Sequence, residues 1–168
     1  MPKISVGPKV KASVRLDTTL RIIGTNAKGH ETAFDTSVKG GGLDSAASPM
    51  EVVLEAVAAC TAMDVVPIIR KRRKTVSEFS VDLIAERAVT DPKVFTKIDM
   101  NIRLTSPDAT LSELARAIEL SQTTYCSVST MIARGGCVIS WVAVLKDEKT
   151  QLEQQMSSAE FHRAKEIA

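Results

Sequence analysis

Aromatic side chains are scarce in this 168-residue sequence, only 4% of the total, so the core has to be built mainly from Val, Ile, Leu, Ala and Met. Concentrated charge of one sign is missing too. With 22 basic and 20 acidic residues the formal net charge is +2, which gives no basis for binding nucleic acid or an anionic membrane surface, since both need massed positive charge. The one basic run, Arg70-Lys71-Arg72-Arg73-Lys74, reads as the solvated end of a helix, where cations complement the dipole. Residues 1–10 lack the apolar centre of a signal peptide. No uninterrupted apolar run approaches the roughly 20 residues that a bilayer crossing needs. The expectation is a soluble, intracellular (cytoplasmic) protein without a membrane partner. Histidines number two and cysteines three, Cys60, Cys126 and Cys137. That odd count argues against a disulfide framework, and no close pair of ligands has the spacing of a zinc site, so neither a metal nor another cofactor is expected.

What is present reads as α+β. From about Lys9 to Thr36 short apolar stretches are interrupted by turn signals at Asp17-Thr18 and Asn26-Ala27-Lys28-Gly29, which predicts strands. Gly40-Gly41-Gly42 opens what reads as a flexible linker to Ala47. Ser48-Pro49-Met50-Glu51 is a capping box with proline at the first helical position. The helix it starts is apolar around most of its circumference, so it should be buried on several sides, with Pro67 kinking it or ending its first part. Phe79, Val81, Leu83 and Ala85 alternate with polar positions and precede the run Phe95, Ile98, Met100, Ile102, Leu104 across Thr90-Asp91-Pro92, an expected antiparallel pair. Asp108 or Thr110 caps a further helix, another ends at Gly135-Gly136, and Cys137 to Leu145 reads as the last strand. The domain is expected to span residues 1–145, and 146–168 to be a polar, helical or partly disordered tail. One small sheet cannot cover an all-round apolar helix; a second copy of the chain can, which predicts a homodimer.

Cysteine chemistry then comes into question. Cys60 lies within the apolar helix. Cys126 follows Ser121-Gln122-Thr123-Thr124-Tyr125 and falls near the first turn of its own helix if Thr123 or Thr124 is the cap. A thiol there meets free backbone donors and the positive end of the dipole, which favour thiolate. Cys137, inside an apolar strand, reads as packing.

Ser48-Pro49-Met50-Glu51-Val52-Val53-Leu54 together with Ala58-Ala59-Cys60, and Tyr125-Cys126-Ser127-Val128 with its cysteine 66 positions further on, resemble the two motifs of the OsmC/Ohr family. Asp91-Pro92-Lys93-Val94-Phe95-Thr96-Lys97-Ile98 is similar to the family's strand-turn-strand segment between them. The resemblance runs from roughly Thr19 to Val144. It implies an OsmC-like fold, antiparallel sheets around a long buried central helix in an intertwined homodimer. It also implies a thiol peroxidase in which Cys60 attacks an organic hydroperoxide, becomes a sulfenic acid and condenses with Cys126, a dithiol such as a lipoylated protein restoring both thiols. The best-known members carry a Glu ten residues before the first cysteine, paired with an Arg that contacts the thiolate. Here that position is Met50, and the nearest carboxylate, Glu51, falls about 180° around the helix from Cys60. Arg15, Arg21 and Arg87 are the candidates for the arginine, Arg87 resembling a position in the branch that carries Cys-x-x-x-Asp. Asp64, four residues after Cys60 and on its face, either orients such a cation or is a hydrogen-bonded structural group. Unpaired, it raises the thiol pKa. The alternative reading is a redox-sensing or small-molecule-binding dimer with little turnover.

Overall fold

The computed structural model describes residues 7–166. The chain forms two compact units that divide between Val53 and Leu54. In the first, the strands β1 (Ala12–Thr18), β2 (Arg21–Asn26) and β3 (Glu31–Phe34) form an antiparallel sheet in that order. The expected turns at Asp17-Thr18 and Asn26–Gly29 fall between them. The glycine triplet is not a loose linker. Val38–Gly40 makes one 3-10 turn, and the buried Asp35 carboxylate gathers the loop around itself. It accepts from the N–H of Thr36 at 2.8 Å, Leu43 at 3.2 Å and Ser45 at 3.0 Å, and from the Ser45 hydroxyl at 2.7 Å. The hydroxyl of Ser45, foremost among these donors, holds the carboxyl down at about 2. Glycine is required here because a Cβ on Gly42 would stand 2.2 Å from the Thr36 carbonyl oxygen.

The helix α1 (Pro49–Lys71) begins at the predicted capping box, where the Ser48 N–H donates to Glu51 at 2.6 Å. It runs through Pro67 unbroken. The carbonyl deprived of its donor belongs to Met63, which is 76% exposed, so water can take the place of the missing N–H. By length and composition α1 could cross a membrane, which the broken apolar runs had not suggested. Yet the chain buries only one stripe of it, Val57, Thr61, Val65 and Ile69, rather than several sides.

In the second unit, β4 (Glu78–Arg87), β5 (Phe95–Ser106), β6 (Val138–Asp147) and β7 (Glu153–Ser157) form a sheet in that order. The alternation read in β4 sets one apolar face. Val81 pairs with Ile102 and Leu83 with Met100, which in turn sit beside Ala143 and Trp141. The β4–β5 and β6–β7 pairs are antiparallel, but β5 and β6 run parallel, so the sheet is mixed rather than wholly antiparallel. Two helices, α2 (Leu111–Leu120) and α3 (Ser127–Arg134), join β5 to β6 and carry the chain back to the end where β5 began, which requires a parallel neighbour. Thr110, not Asp108, caps α2 in a full capping box with Glu113. The segment read as a polar, helical or partly disordered tail supplies the helix α4 (Ser158–Glu166) and also the strand β7, which was not expected. Phe161 anchors α4 against Trp141 with ring centroids 5.7 Å apart, and the His162 ring lies 3.0 Å from the Glu119 carboxylate. The basic run leaves the end of α1 as a solvated segment, with Lys74 and Arg72 near Glu113 at 3.8 and 4.0 Å.

A candidate active site of two thiols and a carboxylate

Cys60 and Asp64 are one turn apart on α1, so they share a face. The sulfur of Cys60, the carboxylate of Asp64 and the sulfur of Cys126 all lie within 4.8 Å of one another, although Cys126 comes from the far side of β4, β5 and α2. A π-helical turn, Ser121–Tyr125, delivers it. This turn extends α2 with a wider ring, in which the Cys126 N–H donates to the Ser121 carbonyl at 2.8 Å. Two side chains fasten the turn to α1. The buried Ser121 hydroxyl donates to Asp64 Oδ2 at 2.9 Å, and Gln122 Nε2 donates to Thr61 Oγ1 at 3.0 Å. Thr61 in turn donates back to the Val57 carbonyl at 2.9 Å.

Cys126 is itself the N-cap of α3, in place of Thr123 or Thr124. Its fully buried sulfur accepts from the Ser129 N–H at 3.4 Å and lies 3.0 Å from the Ser129 hydroxyl. Cys60 is only partly buried. Burial pushes its thiol above the ordinary 9.0; the neighbouring Cys126 sulfur adds to the rise, the Val128 N–H in the first turn of α3 opposes it, and the Asp64 charge adds a smaller increment. Among the described residues no arginine figures in that balance. Beside Asp64 a groove of about 440 Å3 is floored by Met63, Pro67, Ile68 and Leu120, with the exposed Tyr125 at its edge and Lys71 and Arg72 along its wall.

The structure thus brings Cys60, Cys126 and Asp64 together and places the other sequence candidates in different surroundings. Glu51 is engaged in the capping box with Ser48, whose hydroxyl and N–H hold its carboxyl below the usual range. Arg87 donates to the Lys93 carbonyl at 2.8 Å across the β4–β5 turn and makes no ion pair with Asp64 among the described residues. Arg15 pairs with Asp17 and Glu31, and Arg21 with Asp17. Cys137 is buried, 5% exposed, and its thiol is raised by burial alone. Ser121, Gln122 and Ser129 were not singled out from the sequence. The signal for them was available: an unpaired carboxylate on the face of Cys60 needs a donor, and the hydroxyl-rich stretch before Cys126 supplies one.

Residues 41–162 match the profile of the family described as OsmC-like protein. Protein YhfA of Escherichia coli strain K12 is 38% identical over 125 residues, covering 74% of this chain and 90% of that protein. Among solved structures, the OsmC-like protein of Mycoplasma pneumoniae superposes with a TM-score of 0.70 at 13% identity, over 83% of this chain and 99% of the other. The organic hydroperoxide resistance protein OsmC of Legionella pneumophila superposes with a TM-score of 0.59 at 14% identity, over 84% and 98%. A profile match across most of the chain and a relative this similar, on the fold described above, show that the chain belongs to the OsmC-like protein family.

Proposed function

We propose that the protein reduces organic hydroperoxides through Cys60 and Cys126. The observation that carries this reading is the convergence of the two sulfurs, within 4.8 Å, from elements far apart in the chain. Cys60 is the one a substrate can reach, because Cys126 is fully buried. Its thiolate attacks the outer peroxide oxygen. The O–O bond breaks, the alkoxide takes a proton and leaves as the alcohol, and Cys60 becomes a sulfenic acid. The Cys126 thiol displaces hydroxide from that sulfur, water is lost and the disulfide forms. A dithiol of the dihydrolipoyl type then returns both thiols by exchange. The apolar floor of the groove beside Asp64, Met63, Pro67, Ile68 and Leu120, suits the organic part of such a peroxide, and the hydroperoxide resistance protein of Legionella pneumophila has the same fold.

The active form in this reading is a homodimer. All seven residues of β1 are exposed, Val14 by 70% and Leu16 by 63%, and α1 presents Met63 outward. A three-stranded sheet with this little burial needs cover from another chain. Purified protein mixed with tert-butyl hydroperoxide and dihydrolipoamide should consume peroxide catalytically, and Cys60→Ser should abolish it. Equal rates for the two proteins would overturn the reading. A second reading, a redox sensor with little turnover, is favoured by one observation: Cys60 has an anion, Asp64, beside it and, among the described residues, no arginine among the charges acting on it. Stoichiometric formation of one Cys60–Cys126 disulfide without sustained peroxide loss would select it.

A further inference from the structure

Three potential anions crowd one small volume at this site, and among the described residues no cationic side chain figures among the groups acting on Cys60. Such a set is costly unless protons or a cation neutralise it. The ligand types are two thiols and a carboxylate, donors suited to a borderline-soft divalent ion such as zinc. We propose that Cys60, Asp64 and Cys126 form a three-ligand site for a thiophilic divalent cation of the zinc type, filled when both thiols are reduced and emptied when they join as a disulfide.

The local geometry supports this beyond the ligand count. Cys60 and Asp64 stand at i and i+4 on α1, the spacing by which one helix face presents two ligands to a metal. The third ligand arrives on the rigid start of α3. With metal–sulfur bonds of about 2.3 Å, a tetrahedral ion holds two sulfurs roughly 3.8 Å apart, so ligand atoms already within 4.8 Å need close by only about 1 Å. Each ligand also has an outer partner of the kind that orients a metal ligand and moderates its charge. Ser121 donates to one oxygen of Asp64, the Ser129 N–H donates to Cys126, and the Val128 N–H acts on Cys60. Cys60 and Asp64 are partly exposed, and Asp64 also lines the neighbouring groove, so the ligands are open to an entering ion from that side. In sequence the site is hidden, because the third ligand lies 66 residues beyond the first.

Binding releases the two thiol protons. Oxidation of the loaded site balances as the bound dithiolate, one hydroperoxide and two protons giving the disulfide, the alcohol, water and the free cation. Metal and disulfide exclude each other because both require the same sulfur electron pairs. The site shares side chains with the proposed peroxidase but does not depend on turnover. Metal binding is read without peroxide and turnover is read in chelator, so either can fail alone.

The test is an anaerobic titration of the reduced, chelator-stripped full chain with cobalt(II), followed by zinc. One cobalt per chain should give intense visible bands of a tetrahedral site and a sulfur-to-metal charge-transfer band, with zinc erasing both. Cys126→Ser should weaken the charge-transfer band by about half or more, Asp64→Asn should weaken affinity at least tenfold with both sulfurs in place, and Cys137→Ser should change nothing. Wild-type protein oxidised beforehand with diamide should bind no cobalt, a control that needs no mutation. Adding tert-butyl hydroperoxide to the zinc form should release one zinc per disulfide, read with a zinc-sensitive dye. The absence of a charge-transfer band in the reduced protein, an undiminished band in the Cys126→Ser variant, wild-type affinity in Asp64→Asn, or full binding by the oxidised protein would each overturn the site.

Discussion

Cys60 sits between two opposing influences, and their sum sets how it responds to pH. Burial, the Cys126 sulfur and the Asp64 charge disfavour its thiolate, while the Val128 N–H favours it. Because the balance lies above 9.0, the thiol form dominates at neutral pH and the reactive fraction grows about tenfold for each unit of pH up to that range. Alkylation of Cys60 by iodoacetamide in chelator, followed by peptide mapping, should therefore accelerate with close to that slope from pH 7 to 9. A rate already flat at pH 7 would contradict the balance described. Asp64→Asn removes one opposing charge and keeps an oxygen to accept from Ser121, so alkylation at pH 7 should be faster by a factor of roughly two to five. Of this site, the two cysteines and Asp64 were legible as residues: the cysteines through family motifs, Asp64 through its helical spacing from Cys60. The approach of Cys126 to Cys60 was legible only through the family resemblance, because nothing local in a sequence records a contact across 66 positions. Glu51 was read as the carboxylate of a capping box and serves as one, whereas Arg87, a candidate for the arginine beside Cys60, is engaged in a turn.

Elements with a strict period were the most legible. The alternation of Phe79, Val81, Leu83 and Ala85 fixes which face of β4 is inside, whereas the start of α2, read as capped by Asp108 or Thr110, is decided by the Thr110–Glu113 box in the structure. Irregular elements were not. A π-helical turn has no composition of its own, so Ser121–Tyr125 was read as an ordinary approach to a helix cap. The glycine triplet was read as flexibility, whereas Gly42 is there because the Thr36 carbonyl leaves no room for a Cβ. Gly42→Ala should accordingly destabilise the protein by about 1–3 kcal/mol, the range for forced overpacking, seen as a lower midpoint in urea unfolding. An unchanged midpoint would mean that the loop yields freely. The same loop has an acid limit. Asp35 is held near 2, below its ordinary 3.8, so its stabilising contribution is complete above 3.8 and is lost as pH falls from there toward 2. Hydrogen exchange at the Leu43 and Ser45 amides should speed up over that interval beyond the chemical rate, and Asp35→Asn should remove the effect.

Whole-molecule organisation was legible in class, less so in its boundaries. The α+β class followed from the order of elements, but the parallel β5–β6 pair and the β7–α4 extension did not, since residues 146–168 show no apolar period and are held by single anchors such as Phe161. The all-round apolar character of α1 is satisfied along only one stripe within the chain, and β1 satisfies none of its own. If a second copy supplies the missing cover, sedimentation at micromolar concentration should give twice the 18.1 kDa of one chain. Val14 and Leu16 lie on one face of β1. Replacing both with Lys places two charges where an apolar contact is expected, which should shift the sedimenting species toward the monomer and lower the unfolding midpoint, because a dimer's stability includes its association. A wild-type chain that sediments as a monomer across that range would leave these surfaces to solvent. A variant that stays dimeric would place the interface elsewhere, and Met63→Lys on α1 is then the substitution that should dissociate it.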